Sequence, residues 1–127
     1  MAYGSVTDAQ VHEWLKDIAE SGWISLHFDT PALGGELHNE LDGGGYQRFK
    51  MIWSPPTNRA IWSMVDARFT GLLATKITFF GVWNMKGTGT VDNPARLMAY
   101  AELPEPVVVL NGKGYVLHQG DVAISFG

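Results

Sequence analysis

Cysteine is absent from the 127-residue chain, which excludes a disulfide, a thiolate zinc site and a cysteine nucleophile, and fits assembly in a reducing compartment. Basic charge is scarce: nine Lys and Arg against thirteen Asp and Glu leave a net charge of −4. Such a balance disfavours a protein that grips a phosphate backbone, so nucleic acid is not an expected partner. Long apolar runs are missing too. No window approaches the ~20 residues needed to cross a bilayer, and the opening MAYGSVTDAQ has neither the basic patch nor the apolar stretch of a signal peptide. A soluble chain without a membrane partner or export signal is expected. No internal repeat or linker interrupts it. What is present, 46% hydrophobic and 17% charged residues, suffices for one domain with its own core, spanning residues 1–127.

Thr7 followed by Gln10 forms a capping box, and Val11, Trp14, Leu15 and Ile18 keep the spacing of one apolar helix face. The pattern predicts a helix over residues 8–21, ended by a left-handed Gly22. The period then drops to two, with Trp23, Ser25 and His27 alternating with Ile24, Leu26 and Phe28 as in a strand with one apolar face. Residues 30–45, TPALGGELHNELDGGG, are polar and glycine-rich and read as a long solvated arm. Extended segments are expected over 46–53, 60–65, 75–83 and 96–102. The 75–83 run, TKITFFGVW, is β-branched and aromatic on both faces and belongs in a sheet centre. Pro104 and Pro106 confine their surroundings to an edge or turn. Asn111-Gly112 is expected to join 107–110 to 115–118 as a hairpin, with a last strand over 122–126. One N-terminal helix and seven or eight short strands make a mainly β, single-domain fold, a β-sandwich or small barrel.

Catalytic signals are sparse. His12, His27, His38 and His118 are scattered and form no H-x-H or H-E-x-x-H pair. Glu36, His38, Glu40 and Asp42 gather in the arm but lack the alternation that aims oxygens at calcium. Gly87-Thr88-Gly89-Thr90 has no Walker lysine, and no serine stands in a G-x-S-x-G elbow. No enzyme activity, cofactor or metal is therefore expected. Five tryptophans are many for this length. Trp14 and Trp83 are assigned to the core, Trp53 and Trp62 beside the Pro55-Pro56 turn to contacts between subunits, with sugar stacking by Trp53, Trp62 and Tyr46 as the rival use.

Read in order, WISLHFDTPA, then Gly43-Gly44-Gly45-Tyr46-Gln47-Arg48, then Ile77-Thr78-Phe79-Phe80-Gly81-Val82-Trp83 with Leu97-Met98-Ala99-Tyr100, and finally Val107-Val108-Val109 and Gly120-Asp121-Val122-Ala123-Ile124 resemble the small tailed-phage virion proteins: head-decoration, minor tail and tail-fibre-like proteins. Phe28-Asp29-Thr30-Pro31 stands where that pattern has a threonine-alanine-aspartate-proline run. The resemblance implies a β-rich virion component, assembled in the host cytoplasm, with no catalytic residues. Its expected partners are the major capsid protein or tail proteins of the same phage, and further copies of itself in a homo-oligomer. The leading expectation is a capsid decoration protein, with a minor tail protein or a carbohydrate-binding adhesion module as alternatives. Leu37, His38, Tyr46, Arg48, Trp53 and Trp62 are the candidate interface residues, and the arm over 33–45 is expected to bridge neighbouring subunits.

Overall fold

A computed structural model describes residues 7–33 and 38–125. Helix α1 (Asp8–Ser21) begins as the capping box predicts, with the Thr7 hydroxyl accepting from the Gln10 N–H at 3.1 Å. It buries Val11, Leu15 and Ile18, whereas Trp14 lies at the exposed margin of that stripe rather than in the core. Gly22 ends the helix in extended conformation, φ −71° and ψ 119°, not left-handed. Its lack of a side chain serves packing instead: a Cβ there would lie 2.6 Å from Trp53 Nε1 and 2.7 Å from the Ile18 carbonyl oxygen.

Eight strands follow among the described residues: β1 (Trp23–His27), β2 (Phe49–Lys50), β3 (Ala60–Trp62), β4 (Ala67–Phe69), β5 (Thr75–Trp83), β6 (Leu97–Val109), β7 (Tyr115–Leu117) and β8 (Ala123–Ser125). They form a four-stranded antiparallel sheet in the order β2-β1-β5-β6 and two antiparallel ladders, β3-β8 and β4-β7. The fold is thus mainly β with one N-terminal helix. One hydrophobic cluster joins α1, the four-stranded sheet and both ladders, through Leu15, Ile24, Val82, Ile61, Phe69 and Leu117 among others. β5 occupies the expected bounds inside the sheet.

Four expectations about the strands are corrected. The two segments around Pro104 and Pro106 form one strand, β6, on the sheet edge, where a missing N–H costs no ladder bond; the prolines fall in an irregularity between the Ile77↔Val107 and Phe79↔Glu102 pairs. The Asn111-Gly112 turn exists, with Gly112 at φ 82°, but it joins no hairpin. Its flanking strands pair elsewhere, β6 with β5 and β7 with β4, a strand with no sequence signal. Of the long 46–53 extended segment only β2 and a bridge from Trp53 to Ser63 are strand-like. Finally, β1 has no wet face. Ile24 and Leu26 enter the main cluster, and Ser25 and His27 on the opposite face are fully buried as well.

What covers that second face is the segment expected to be a free arm. A short 3-10 turn (Pro31–Leu33) starts it, and residues 38–46 form a strap along β1. Phe28 N–H donates to the Asn39 carbonyl at 3.1 Å and Leu41 N–H to the Leu26 carbonyl at 2.9 Å, while Glu40 bridges to His27. Glu40 and Leu41 are buried.

Candidate functional site

The strap seals a buried polar cluster against β1 and β5. Strand alternation puts Ser25 and His27 on one face, and the antiparallel register sets Gly81 opposite Ser25 and Trp83 opposite Trp23. Gly81 leaves the room the cluster needs, since a Cβ there would lie 2.7 Å from Ser25 Oγ and 2.8 Å from His27 Nε2. Trp83 Nε1 donates to Ser25 Oγ at 2.8 Å, and Ser25 Oγ lies 2.6 Å from His27 Nε2. His27 Nδ1 lies 2.7 Å from the His38 carbonyl oxygen. A carbonyl only accepts, so Nδ1 carries a proton; with Nε2 bare, the form that burial favours, the Ser25 hydroxyl donates to it while accepting from the Trp83 indole. Burial, the largest influence, holds the His27 pKa below the usual histidine value; the Arg48 charge adds to this, against the His38 carbonyl and the Glu40 carboxylate.

A second set of bonds locks the strap. Gly43 and Gly44 turn the chain at φ 83° and 58°, and the Gly45 N–H donates to the Gly71 carbonyl at 2.7 Å, so that Tyr46 and Arg48 come back over Glu40. Arg48 grips the Glu40 carboxylate with both arms, Nε to Oε2 at 2.9 Å and Nη2 to Oε1 at 2.7 Å. The two side chains are only 4% and 6% exposed. Arg48 Nη1 also donates to the carbonyls of Met85, at 3.1 Å, and Gly87, at 2.7 Å, which ties in the loop between β5 and β6. Its guanidinium carbon sits 3.9 Å from the centre of the Trp83 ring, against which His38 packs edge-on at 5.5 Å. Tyr46 Oη donates to Glu40 Oε2 and accepts from the Leu26 N–H at 3.2 Å. Burial, followed by the Glu40 charge, raises the Tyr46 pKa far above the phenol range and keeps its proton in place. A cleft of about 410 Å³ opens beside this pair, rimmed by Asp42, Gln47, Lys86 and Thr88.

The Ser25–His27 contact has the hydrogen-bond order of an activated serine. Both side chains are 0% exposed, however, so no substrate atom reaches Ser25 Oγ in this arrangement, and the contact works as part of the packing. No group of three or more His, Asp or Glu side chains among the described residues is placed to hold a metal ion.

Of the residues singled out from the sequence, His38, Tyr46 and Arg48 come together in this cluster, Arg48 buried and His38 and Tyr46 half-buried. Trp53 is also internal, packed under Gly22 with its Nε1 directed at the Gly22 carbonyl at 3.4 Å. Trp62 is exposed, and Leu37 lies outside the described residues. Of the three aromatic residues considered for sugar stacking, Trp53 is buried, Tyr46 half-buried and Trp62 exposed. Ser25, His27, Glu40 and Trp83 were missed as a site. Their signal was polar Ser25 and His27 inside an apolar strand, and an acid and an arginine on either side of three glycines. Neither a protein-family model nor a curated protein nor a solved structure matches the chain.

Proposed function

We propose that the protein is a non-catalytic structural subunit of a tailed-phage particle, a capsid decoration protein that works by burying a surface strip against neighbouring subunits. The observation that carries the packing role is an apolar strip beside β3. Ser54 N–H donates to the Trp62 carbonyl at 2.9 Å and Met64 N–H to the Ile52 carbonyl at 2.8 Å, framing the bridge from Trp53 to Ser63. Trp53 and Ser63 point inward, and their sequence neighbours Ile52, Trp62 and Met64 point outward at 62%, 37% and 39% exposure. Ala123, paired with Trp62 across β3-β8, is exposed next to them. Contiguous apolar side chains on a strand surface mark a contact site, and tryptophan at the centre of such a site carries much of the affinity. The sequence resemblance supplies the particle. The same reading takes the two ladders as closing over the four-stranded sheet in a sandwich or small barrel, supported by the single cluster they share.

Substituting Ile52→Ser and Trp62→Ser together tests this role. The double variant is expected to keep the wild-type circular dichroism spectrum and cooperative melt, yet to be depleted from particles when co-expressed with the wild type. Equal incorporation of the two forms would rule out this strip as the contact.

A further inference from the structure

The cluster under the strap joins a titratable side chain to the closure of a chain segment. His27 holds the strap through its Nδ1 bond to the His38 carbonyl, and that carbonyl is presented by two consecutive non-glycine residues in left-handed conformation, His38 at φ 52° and Asn39 at φ 60°. Such conformations persist where surrounding contacts over-determine them. The other nitrogen, Nε2, is the only place for an added proton, and it faces Ser25 Oγ, which already accepts from Trp83 Nε1. A proton on Nε2 therefore forces the Ser25 hydroxyl hydrogen to turn away from its one described acceptor. The groups facing the imidazole are the Arg48 guanidinium and the His38 ring, which oppose a positive charge there, and the Glu40 carboxylate, which favours it but is already occupied by Arg48 and Tyr46.

We propose that His27 is the sensor of an acid-sensitive latch: its protonation at Nε2 releases the 38–46 strap from β1 and exposes the face that the strap covers. Opening the strap lets water reach the charged imidazole and lets the two left-handed residues relax. The strap contributes Leu41 and the half-buried Tyr46 to the hydrophobic cluster, while α1, the ladders and the sheet supply its other members and keep their mutual contacts when the strap lifts, so the strap opens before the molecule unfolds. The sign follows from linkage. The closed state holds the His27 pKa below the ordinary value of 6.5, and an opened strap restores that value, so closure is strongest above 6.5 and weakens as pH falls toward the lowered pKa. Within that window the open fraction rises about tenfold per pH unit.

Hydrogen exchange followed by NMR on the whole protein, corrected for the intrinsic pH dependence of exchange, tests the latch. The amides of Phe28 and Leu41, which bridge strap and β1, are expected to lose about tenfold protection per pH unit in this window, while the α1 amides keep theirs. The imidazole nitrogens of His27 are expected to report the Nδ1–H tautomer at neutral pH, with a pKa below 6.5. His27→Gln, which cannot titrate, is expected to make the Phe28 and Leu41 protection independent of pH over this range. Three results would overturn the proposal: flat protection at Phe28 and Leu41 in the wild type, parallel loss at all amides, or a wild-type pH response in His27→Gln. Should that variant fail to fold, the wild-type titration decides, because an Nε2–H tautomer or an ordinary His27 pKa contradicts the latch.

Discussion

Removing the Glu40 carboxylate is the sharpest perturbation the cluster allows. In Glu40→Ala the Arg48 guanidinium keeps its bonds to the Met85 and Gly87 carbonyls and its place over Trp83 but loses both charge-assisted bonds, in a site where its side chain is 4% exposed. Tyr46 loses its acceptor in the same step. Breaking one side of a buried ion pair costs about 3–5 kcal/mol because the remaining charge stays desolvated. A domain of this size is stable by roughly 5–15 kcal/mol, so the variant is expected to lose a large share of its stability. In urea, with a denaturant slope of about 1–3 kcal/mol per molar, the midpoint moves down by more than about 1 M. The matched double variant Glu40→Leu with Arg48→Met is expected to lose less than Glu40→Ala alone, since it leaves no unpaired charge behind. A loss below about 1 kcal/mol for Glu40→Ala, the worth of an exposed pair, would refute the description of this bridge as buried and strap-locking.

Gly81→Ala is expected to destabilise by about 1–3 kcal/mol through overpacking, because the new methyl meets Ser25 Oγ, His27 Nε2 and Leu97 Cδ1, all within 2.9 Å; an unchanged thermal midpoint would contradict that geometry. Replacing residues 38–42 with a Gly-Ser linker of equal length should lower the thermal midpoint while leaving α1 folded, since it removes Glu40 and Leu41 and uncovers Ser25 and His27. An unchanged midpoint would restore the free-arm reading of that segment. Thr7→Ala removes the hydroxyl that caps α1 and is expected to cost about 1 kcal/mol in a denaturant titration.

Local signals were legible where one segment carries the whole of its own pattern. α1 has its capping threonine and its apolar stripe, and β5 its unbroken β-branched and aromatic run, so both occur at the expected bounds. Partner choice was not legible. Asn111-Gly112 specifies a turn, yet whether the strands beside it pair with each other depends on β5 and β4, which compete for them from far along the chain. The arm was misjudged for a related reason. Its composition is that of a solvated loop, but Glu40 is neutralised by Arg48, which lies beyond the glycine turn, and a paired charge can be buried where a lone one cannot. Tryptophan count likewise says nothing about placement: Gly22 makes room for Trp53 inside, while β3 turns Trp62 out. The polar pair in β1 became a site only when the strap and Trp83 were placed over it.

The central claim, a packing subunit of a phage particle, is tested most directly by counting. Quantitative mass spectrometry of purified particles, with this chain measured against the major capsid protein, is expected to find it at a large fraction of the capsid copy number. A handful of copies per particle would contradict a decoration role and favour the tail, and absence from particles would contradict the virion assignment altogether.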